Sequence, residues 1–419
     1  MDDLREFVAE FVSFESTEGE EGEAAAWFAD RLDEFGFETH EWEADADRLA
    51  GHPSFPDDPG DIDVAGRPSV GGVLEFGDPD AGKTVVLNGH LDVVPAERDV
   101  WTTDPFEPTW NSDELTARGA ADMKSDLAAC VFAARQLADQ QHGETTHELD
   151  GRVVVEGVVG EESGGVGAAA AALDNPYSFE RDAAIVAEPT ELTPVVASEG
   201  CVMKRLRLAG RSAHAATPWR GESVLPQFEA IEDAFADLAA EREERVTHDL
   251  YEEFPTKWPV VCGTVEAGDW PSTVPASLTA EWRIGVAPGE SVADVEAEFE
   301  ARLREVASER EWLREHPPEF ERFSVQFEPA EIDPDEPVVR AVQRGMERHG
   351  LADTEPRGVT YGADARHYVG AGIPAVIFGP GSIEQAHFPD ETIDFREVEA
   401  AVDVLAAAVR EFLPERRSE

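Results

Sequence analysis

Basic residues are scarce in this sequence. Lys83, Lys124, Lys204 and Lys257 are its only lysines, and 34 Lys and Arg together face 90 Asp and Glu, for a formal net charge of −56 at pH 7. So few cations leave no clustered basic surface to neutralise phosphates, which argues against nucleic acid as a partner. Cysteine is nearly absent: Cys130, Cys201 and Cys262 sit in separate apolar segments without metal-like spacing. Neither a disulfide framework nor a thiolate zinc site is readable, and a reducing compartment fits. No run of ~18 uninterrupted apolar residues occurs, so no membrane span is expected. The opening "MDDLREFVAEFVSFES" reads as an acidic amphipathic helix and lacks the basic region and apolar core of a secretion signal. The expectation is a cytoplasmic protein that binds neither membrane nor nucleic acid.

The acids are spread along the whole chain, as in "EWEADAD", "EREERVTHDLYEEF" and "EPAEIDPDEP". A disordered acidic tail would concentrate them. With 42% hydrophobic residues in interspersed runs, the chain reads as globular. Such a surface repels itself at low ionic strength. At molar salt the Debye length falls to about 3 Å and the repulsion is screened. In this respect the composition resembles proteins of salt-accumulating halophiles.

At 419 residues the chain suits two domains better than one core. Helical periodicity fills 2–14 and 21–35. Strand-like runs follow at "VGGVLEF", "KTVVLNGHLDVVP", "GRVVVEGVVG" and "RDAAIVAEP", with the helix "DMKSDLAACVFAARQLADQ" between the second and third. Strands alternating with helices predict an α/β fold, a three-layer α/β/α domain. "GHPSFPDDPGDIDVAGRP" reads as a loop. Near Gly200 the pattern changes to βαββαβ, a ferredoxin-like unit closed by "FERFSVQFEP". After about residue 331 the first pattern resumes. The domains predicted are 1–199 with 331–419, and an inserted 200–330 lid.

Polar residues gather where the apolar strands end. "VVLNGHLDVVP" sets His90 and Asp92 two apart, on one side of a strand. "ARGAADMKS" puts Asp122 in a turn before a helix. "VVGEES" carries Glu161 and Glu162, "AIVAEPT" Glu188, and "GSIEQAHFPDE" His387. Ligand sites of open α/β sheets lie at the carboxyl ends of strands. Clustered carboxylates repel one another unless a cation joins them. Histidine and carboxylate donors suit zinc, and two metals share a bridge at ~3.5–4 Å.

The motifs "GHLDVVP", "RGAADMKS", "GEES", "AEPT", "GRSAHAATP" and "AHFPDE", in this order, resemble the co-catalytic di-zinc metallohydrolase family. That family includes acetylornithine deacetylase, succinyl-diaminopimelate desuccinylase, aminoacylase and glutamate carboxypeptidase. The resemblance implies that His90 and Glu188 hold one zinc and Glu162 and His387 the other, with Asp122 as bridge; Co2+ or Mn2+ are substitutes. Asp92 is implied to orient His90, Glu161 to be the general base, and His214 to stabilise the oxyanion, from a partner subunit in dimeric relatives. A homodimer through the lid follows from the same resemblance.

Substrate-binding candidates are Arg283 in "AEWRIGV", and Gly362 and Arg366 in "YGADARH". An arginine pairs bidentately with a carboxylate. Two departures bear on substrate. Ser272 and Thr273 stand where many relatives carry an Asn, and Glu199 stands where others carry a basic residue. Both place deacylation of N-acyl amino acids, or cleavage of short peptides, ahead of desuccinylase or glutamate carboxypeptidase activity. An aminopeptidase, with Glu199 facing a free amine, is the further alternative. His40, His52, His142, His147, His248 and His316 read as solvated, His349 as a helix terminus, and His367 as near the cleft without a role.

The charge gives the first prediction. Folded protein is lost below a few tenths molar salt, on the order of the ionic strength at which the Debye length exceeds charge spacing. A thermal midpoint that stays level from ~0.1 to ~3 M KCl would contradict it.

Overall fold

The computed structural model describes residues 2–56, 58–141, 149–324 and 326–414. Strands with both faces covered form its middle. Every residue of Thr84–His90 and Gly151–Val158 is buried. Val85, Leu87, Val153 and Val155 join the core on one side of the sheet. Val86, Val154 and Val158 join a second core on the other. Alternate side chains leave a strand on opposite faces, so covering both faces makes the sequence a nearly continuous apolar run, broken here by the buried Asn88, Arg152 and Glu156.

The nine-stranded sheet runs Glu38–Trp42, Ser69–Phe76, Gly151–Val158, Thr84–His90, Ala183–Val186, Ala375–Ile377, Val195–Ser198, Ala330–Glu331, with Arg357–Val359 also paired to Val195–Ser198. From Gly151–Val158 to Ala375–Ile377 the neighbours are parallel. Four carboxyl ends therefore open side by side on one edge. Helices Lys124–Gln141, Pro337–Arg348 and Phe395–Phe412 cover one face. Val166–Leu173 and Ala365–Gly370 lie on the other. This is the α/β/α arrangement expected.

Between the two parts of that sheet comes Gly200–Ala209, helix Leu225–Arg245, Val260–Ala267, Ser277–Val286, helix Val292–Glu309 and Glu319–Arg322. The order is the βαββαβ of a ferredoxin-like unit. Its antiparallel sheet runs Val260–Ala267, Ser277–Val286, Gly200–Ala209, Glu319–Arg322. The helices set Ile231, Phe235, Phe299 and Leu303 on Leu206, Leu278, Trp282 and Ile284, a core of their own. Ser291 caps the second helix by accepting the Asp294 N–H at 3.1 Å. The closing strand is shorter than "FERFSVQFEP": its ladder ends at Arg322, Phe327 meets the same neighbour again only as a bridge to Cys201, and Ala330–Glu331 rejoins the large sheet.

Some elements escaped sequence reading. Thr109–Asn111, Glu114–Thr116 and Thr392–Asp394 form a small sheet of three-residue strands, too short to show a period. Among the histidines, His349 ends helix Pro337–Arg348 as expected. His40, His52 and His248 are half-buried rather than solvated. His52 lies against Phe55 and His367. His316 is exposed, stacked on Trp312. His142 and His147 lie outside the described residues. No helix among the described residues is long and apolar enough to cross a membrane.

The two sheets meet at Glu199, between Val195–Ser198 and Gly200–Ala209. Its side chain is wholly buried. Arg283 Nη1 donates to Glu199 Oε1 at 3.1 Å, and Arg283 Nη2 to the Thr360 carbonyl at 3.1 Å. One guanidinium thus ties the inserted unit to the large sheet. A Cβ on Gly285 would stand 2.1 Å from Glu199 Oε1, so this close approach requires glycine. Burial pushes the Glu199 carboxyl up from 4.5 to about 7, against the pull of Arg283. The native value is the higher one. The stabilisation from this group is therefore complete below pH 4.5 and is lost as pH rises through about 7. Glu199→Gln removes that loss. The wild-type midpoint minus that of the variant is expected to fall between pH 5 and 8, on the order of that titration range. A difference that does not change with pH would show that Glu199 does not titrate in the folded protein.

Candidate metal centre

The four parallel carboxyl ends deliver the polar residues to one place. His90 ends Thr84–His90, Glu161 and Glu162 follow Gly151–Val158, Glu188 follows Ala183–Val186, and His387 lies on the loop after Ala375–Ile377. Asp122 enters from the turn before Lys124–Gln141. Ligand-type atoms of His90, Asp122 and Glu188 lie within 4.8 Å of one another, and so do those of Asp122, Glu162 and His387. Asp122 belongs to both groups, the position expected of a bridge.

The hydrogen bonds fix how the imidazoles face. His90 Nδ1 lies 2.9 Å from the Asp92 carbonyl, so it carries the proton. Its Nε2 lone pair then faces Asp122 Oδ1 at 3.2 Å. Two acceptors in that relation require a proton or a cation between them. His387 Nε2 lies 3.0 Å from Glu162 Oε2 and 3.8 Å from Asp122 Oδ2. Burial, and then the neighbouring carboxylate Asp122, push Glu188 well above the usual carboxyl range, partly offset by His90. Burial likewise raises Glu161 far above it, with Asp364 adding to the shift. Asp122 stands apart: burial raises it, but the His90 hydrogen bond and the charges of His90 and His387 outweigh that and hold it low. An anionic Asp122 amid proton-hungry carboxyls is a setting that suits cations. The histidine and carboxylate donors fit divalent zinc-type ions.

The surrounding residues correct several expectations. Asp92 does not orient His90 through its carboxylate, which is 3.7 Å from Nδ1; the backbone carbonyl does. The carboxylate instead accepts the N–H groups of Gly160 at 2.8 Å, Glu161 at 3.2 Å and Glu162 at 3.1 Å. It thereby shapes the turn that presents both glutamates. Gly160 takes φ 75° there, and a Cβ would meet Arg67 Nη2 at 2.8 Å. Arg366 is no open substrate ligand: its side chain is 1% exposed. It donates to the carbonyls of Ala363 at 2.9 Å and Gly164 at 2.8 Å, and lies 4.0 Å from Glu161 Oε1. Arg283 is engaged with Glu199 and Thr360, so Glu199 does not face a free amine. Gly362 gives room to the Phe327 ring, 2.5 Å from where its Cβ would be. His367, left without a role, holds Gly164 O at 3.2 Å from Nε2. Glu391 was missed. Wholly buried, it accepts Arg118 at 2.7 Å and the N–H groups of Gly119, Ala121 and Asp122 at 3.1, 2.7 and 3.0 Å, fixing the turn of the bridge.

A cleft of about 830 Å³ opens beside Glu162, between Phe55, Pro56, Asp61, Asp63 and Arg67 on one side and Arg205, Glu321 and Arg322 of the inserted unit on the other. His214 lies on that unit, exposed, paired with Thr273 across a bridge.

The sequence profile of peptidase family M20/M25/M40 matches residues 86–411. The chain belongs to peptidase family M20/M25/M40. Acetylornithine deacetylase of Salmonella heidelberg (strain SL476) is 28% identical over 335 residues, 78% of this chain and 80% of the relative. Among solved structures, an M20 family metallo-carboxypeptidase from Sulfolobus solfataricus superposes with TM-score 0.74 at 18% identity, covering 98% of this chain and 99% of that one. A dinuclear metal-binding M20 peptidase from Bacillus subtilis gives TM-score 0.63 at 15% identity, over 98% and 97%. This M20 chain is a metal-dependent hydrolase of amide or peptide bonds.

A metal count tests the cage. Wild-type protein is expected to carry about two divalent ions per chain, Glu188→Ala about one, and Asp122→Ala about none, as a shared bridge requires. Equal occupancy in Asp122→Ala and wild type, measured by elemental analysis after gel filtration, would remove Asp122 from the bridge.

Proposed function

We propose that this M20 hydrolase deacylates N-acyl amino acids, as its acetylornithine deacetylase relatives are named for doing, or cleaves short peptides. The observation that carries this reading is the Asp122-centred double ligand group with a free carboxylate, Glu161, beside it. We assign His90 and Glu188 to one zinc ion, Glu162 and His387 to the other, and Asp122 to both; Co2+ or Mn2+ would fit the same donors. Bound there, the ions supply Lewis acidity and bring the pKa of water toward ~7.

Glu161 performs the proton transfers. It is buried, its pKa is raised, and Asp92 and Arg366 hold its turn from two sides. It takes a proton from the attacking water and returns it to the amine nitrogen as the amide bond breaks. His214 stabilises the oxyanion. Its Nδ1 accepts the Ala216 N–H at 3.0 Å. The neutral ring therefore carries its proton on Nε2, which is free to donate to the carbonyl oxygen as charge develops.

The assembly reading is a cytoplasmic homodimer through residues 200–330, a lid on the catalytic domain 1–199 and 331–419. Val260–Ala267 is an edge strand whose Val261 and Val265 are exposed. A bare apolar edge calls for cover, and a two-fold copy of itself pairs it on both sides. His214 would then reach the partner's site.

One experiment tests roles and assembly together. Glu161→Gln and His214→Ala each retain metal and lose activity, by on the order of 10²–10⁴-fold for the general base. When the two inactive proteins are mixed and allowed to exchange subunits, up to about a quarter of the sites recover both residues in a closed dimer. Exchange without recovered activity would place His214 in its own chain's site. Full activity in Glu161→Gln would remove Glu161 as the base.

A further inference from the structure

Three exposed aromatic rings sit on the segments that carry His214 and His387 or are tied to them. Trp219 is 76% exposed, Trp270 68% and Phe388 63%. Solvent-facing rings of this size are costly unless something covers them.

Their placement is tied to His214 and His387. The chain around His214 is pinned to the segment around Trp270: Ala215 N–H donates to Ser272 O at 2.9 Å, and Val274 N–H to Ala213 O at 2.9 Å. Thr273, which bridges His214, donates its N–H to Trp270 O at 3.0 Å. Trp219 lies on the short helical turn Pro218–Arg220, held back on the His214 loop by Thr217 N–H to His214 O at 2.8 Å and Arg220 N–H to Thr217 O at 3.1 Å. The backbone segments that carry both indoles are thus tied to the one that carries the imidazole. From His214 to Trp219 the chain spans no more than roughly 17 Å even if fully extended. Phe388 follows His387 directly, at the mouth of the proposed metal cage. An imidazole that touches the scissile carbonyl must come within hydrogen-bond distance of a substrate held at that cage. When it does, the backbone ties above carry Trp219 and Trp270 to the same substrate, next to which Phe388 follows His387, whichever subunit supplies the imidazole.

We infer that Trp219 and Trp270, with Phe388 opposite, form an apolar wall that selects substrates whose amino acid carries a large apolar or aromatic side chain. This rests on the proposed role of His214. Rings brought together around a side chain gain by removing both surfaces from water and by edge or offset contacts. Nothing in the established activity needs these three rings; selection among substrates does.

The test compares N-acetyl-L-phenylalanine, N-acetyl-L-alanine and N-acetyl-L-ornithine, with wild type, Trp219→Ala, Trp270→Ala and the conservative Trp219→Phe. Each alanine variant is expected to lower kcat/KM for the phenylalanine compound by about 10-fold more than for the alanine compound. The loss should appear chiefly in KM, and Trp219→Phe should recover most of it. Because both indoles are exposed, the variants are expected to fold, and their sedimentation should match wild type. Three outcomes overturn the inference: equal losses on all substrates, a loss confined to N-acetylornithine, which would mean the rings hold a cation, or a shift from dimer to monomer, which would make them an interface. Calorimetric binding of the same compounds to Glu161→Gln reads the preference without turnover. Failure of catalysis in wild type with a retained Trp-dependent binding preference would sink the proposed reaction and leave this inference standing. Binding without such a preference would sink the inference alone.

Discussion

The arrangement of the site turns on one electrostatic conflict. Asp122 is an anion within ligand distance of two imidazoles and two further carboxyls, of which His90 and Glu188 are buried. Buried like charges shift one another until they protonate or find a cation. The proton on His90 Nδ1 is committed to the Asp92 carbonyl, so Nε2 meets Asp122 only through a second proton or a cation. On the proposed reading a divalent pair would satisfy these donors at once, which would account for so many polar groups at the end of a sheet otherwise built of Val, Ala and Leu.

Holding that cage needs rigid turns, and their hydrogen bonds come from residues distant in sequence. Asp92 gathers three N–H groups of the Gly160–Glu162 turn. Glu391 gathers three from the turn of Asp122. Arg366 and His367 hold the Gly164 carbonyl from below. Each acts by satisfying backbone groups that burial would otherwise leave unpaired. The parallel strands do the coarse placement, and these side chains set the final orientation of Glu161 and Asp122. The inserted unit is joined by different chemistry, in which the Arg283 guanidinium is shared by Glu199 and Thr360 and the Tyr251 hydroxyl donates to the Val359 carbonyl.

Much of this was legible before the fold was known. Nearly continuous apolar runs such as "TVVLNGH" and "RVVVEGVV" report strands covered on both faces, and their polar ends report the functional edge. The βαββαβ order marked an inserted unit with its own core. His90, Glu162 and Glu188 stood out because each ends or follows an apolar run, and Asp122 and His387 through the motifs "RGAADMKS" and "AHFPDE" that carry the family resemblance. Glu391 was in plain view within "AHFPDE", yet among ninety acids a buried one looks like any solvated one. Arg283 and Arg366 looked free for a substrate because sequence does not show which carboxylate or carbonyl already occupies an arginine.

The sequence by itself determined the periodicity, the strand ends and the kinds of donor placed there, because backbone geometry ties residue spacing to one face of a strand or helix. Only the tertiary structure decided the partners. Asp92 meets Gly160, Arg366 meets Gly164, and Glu391 meets Ala121 across long stretches of chain. Such pairings depend on where whole elements dock. Whether a carboxylate is a solvated surface charge or the keystone of a turn depends on its distance from water, which no local spacing encodes.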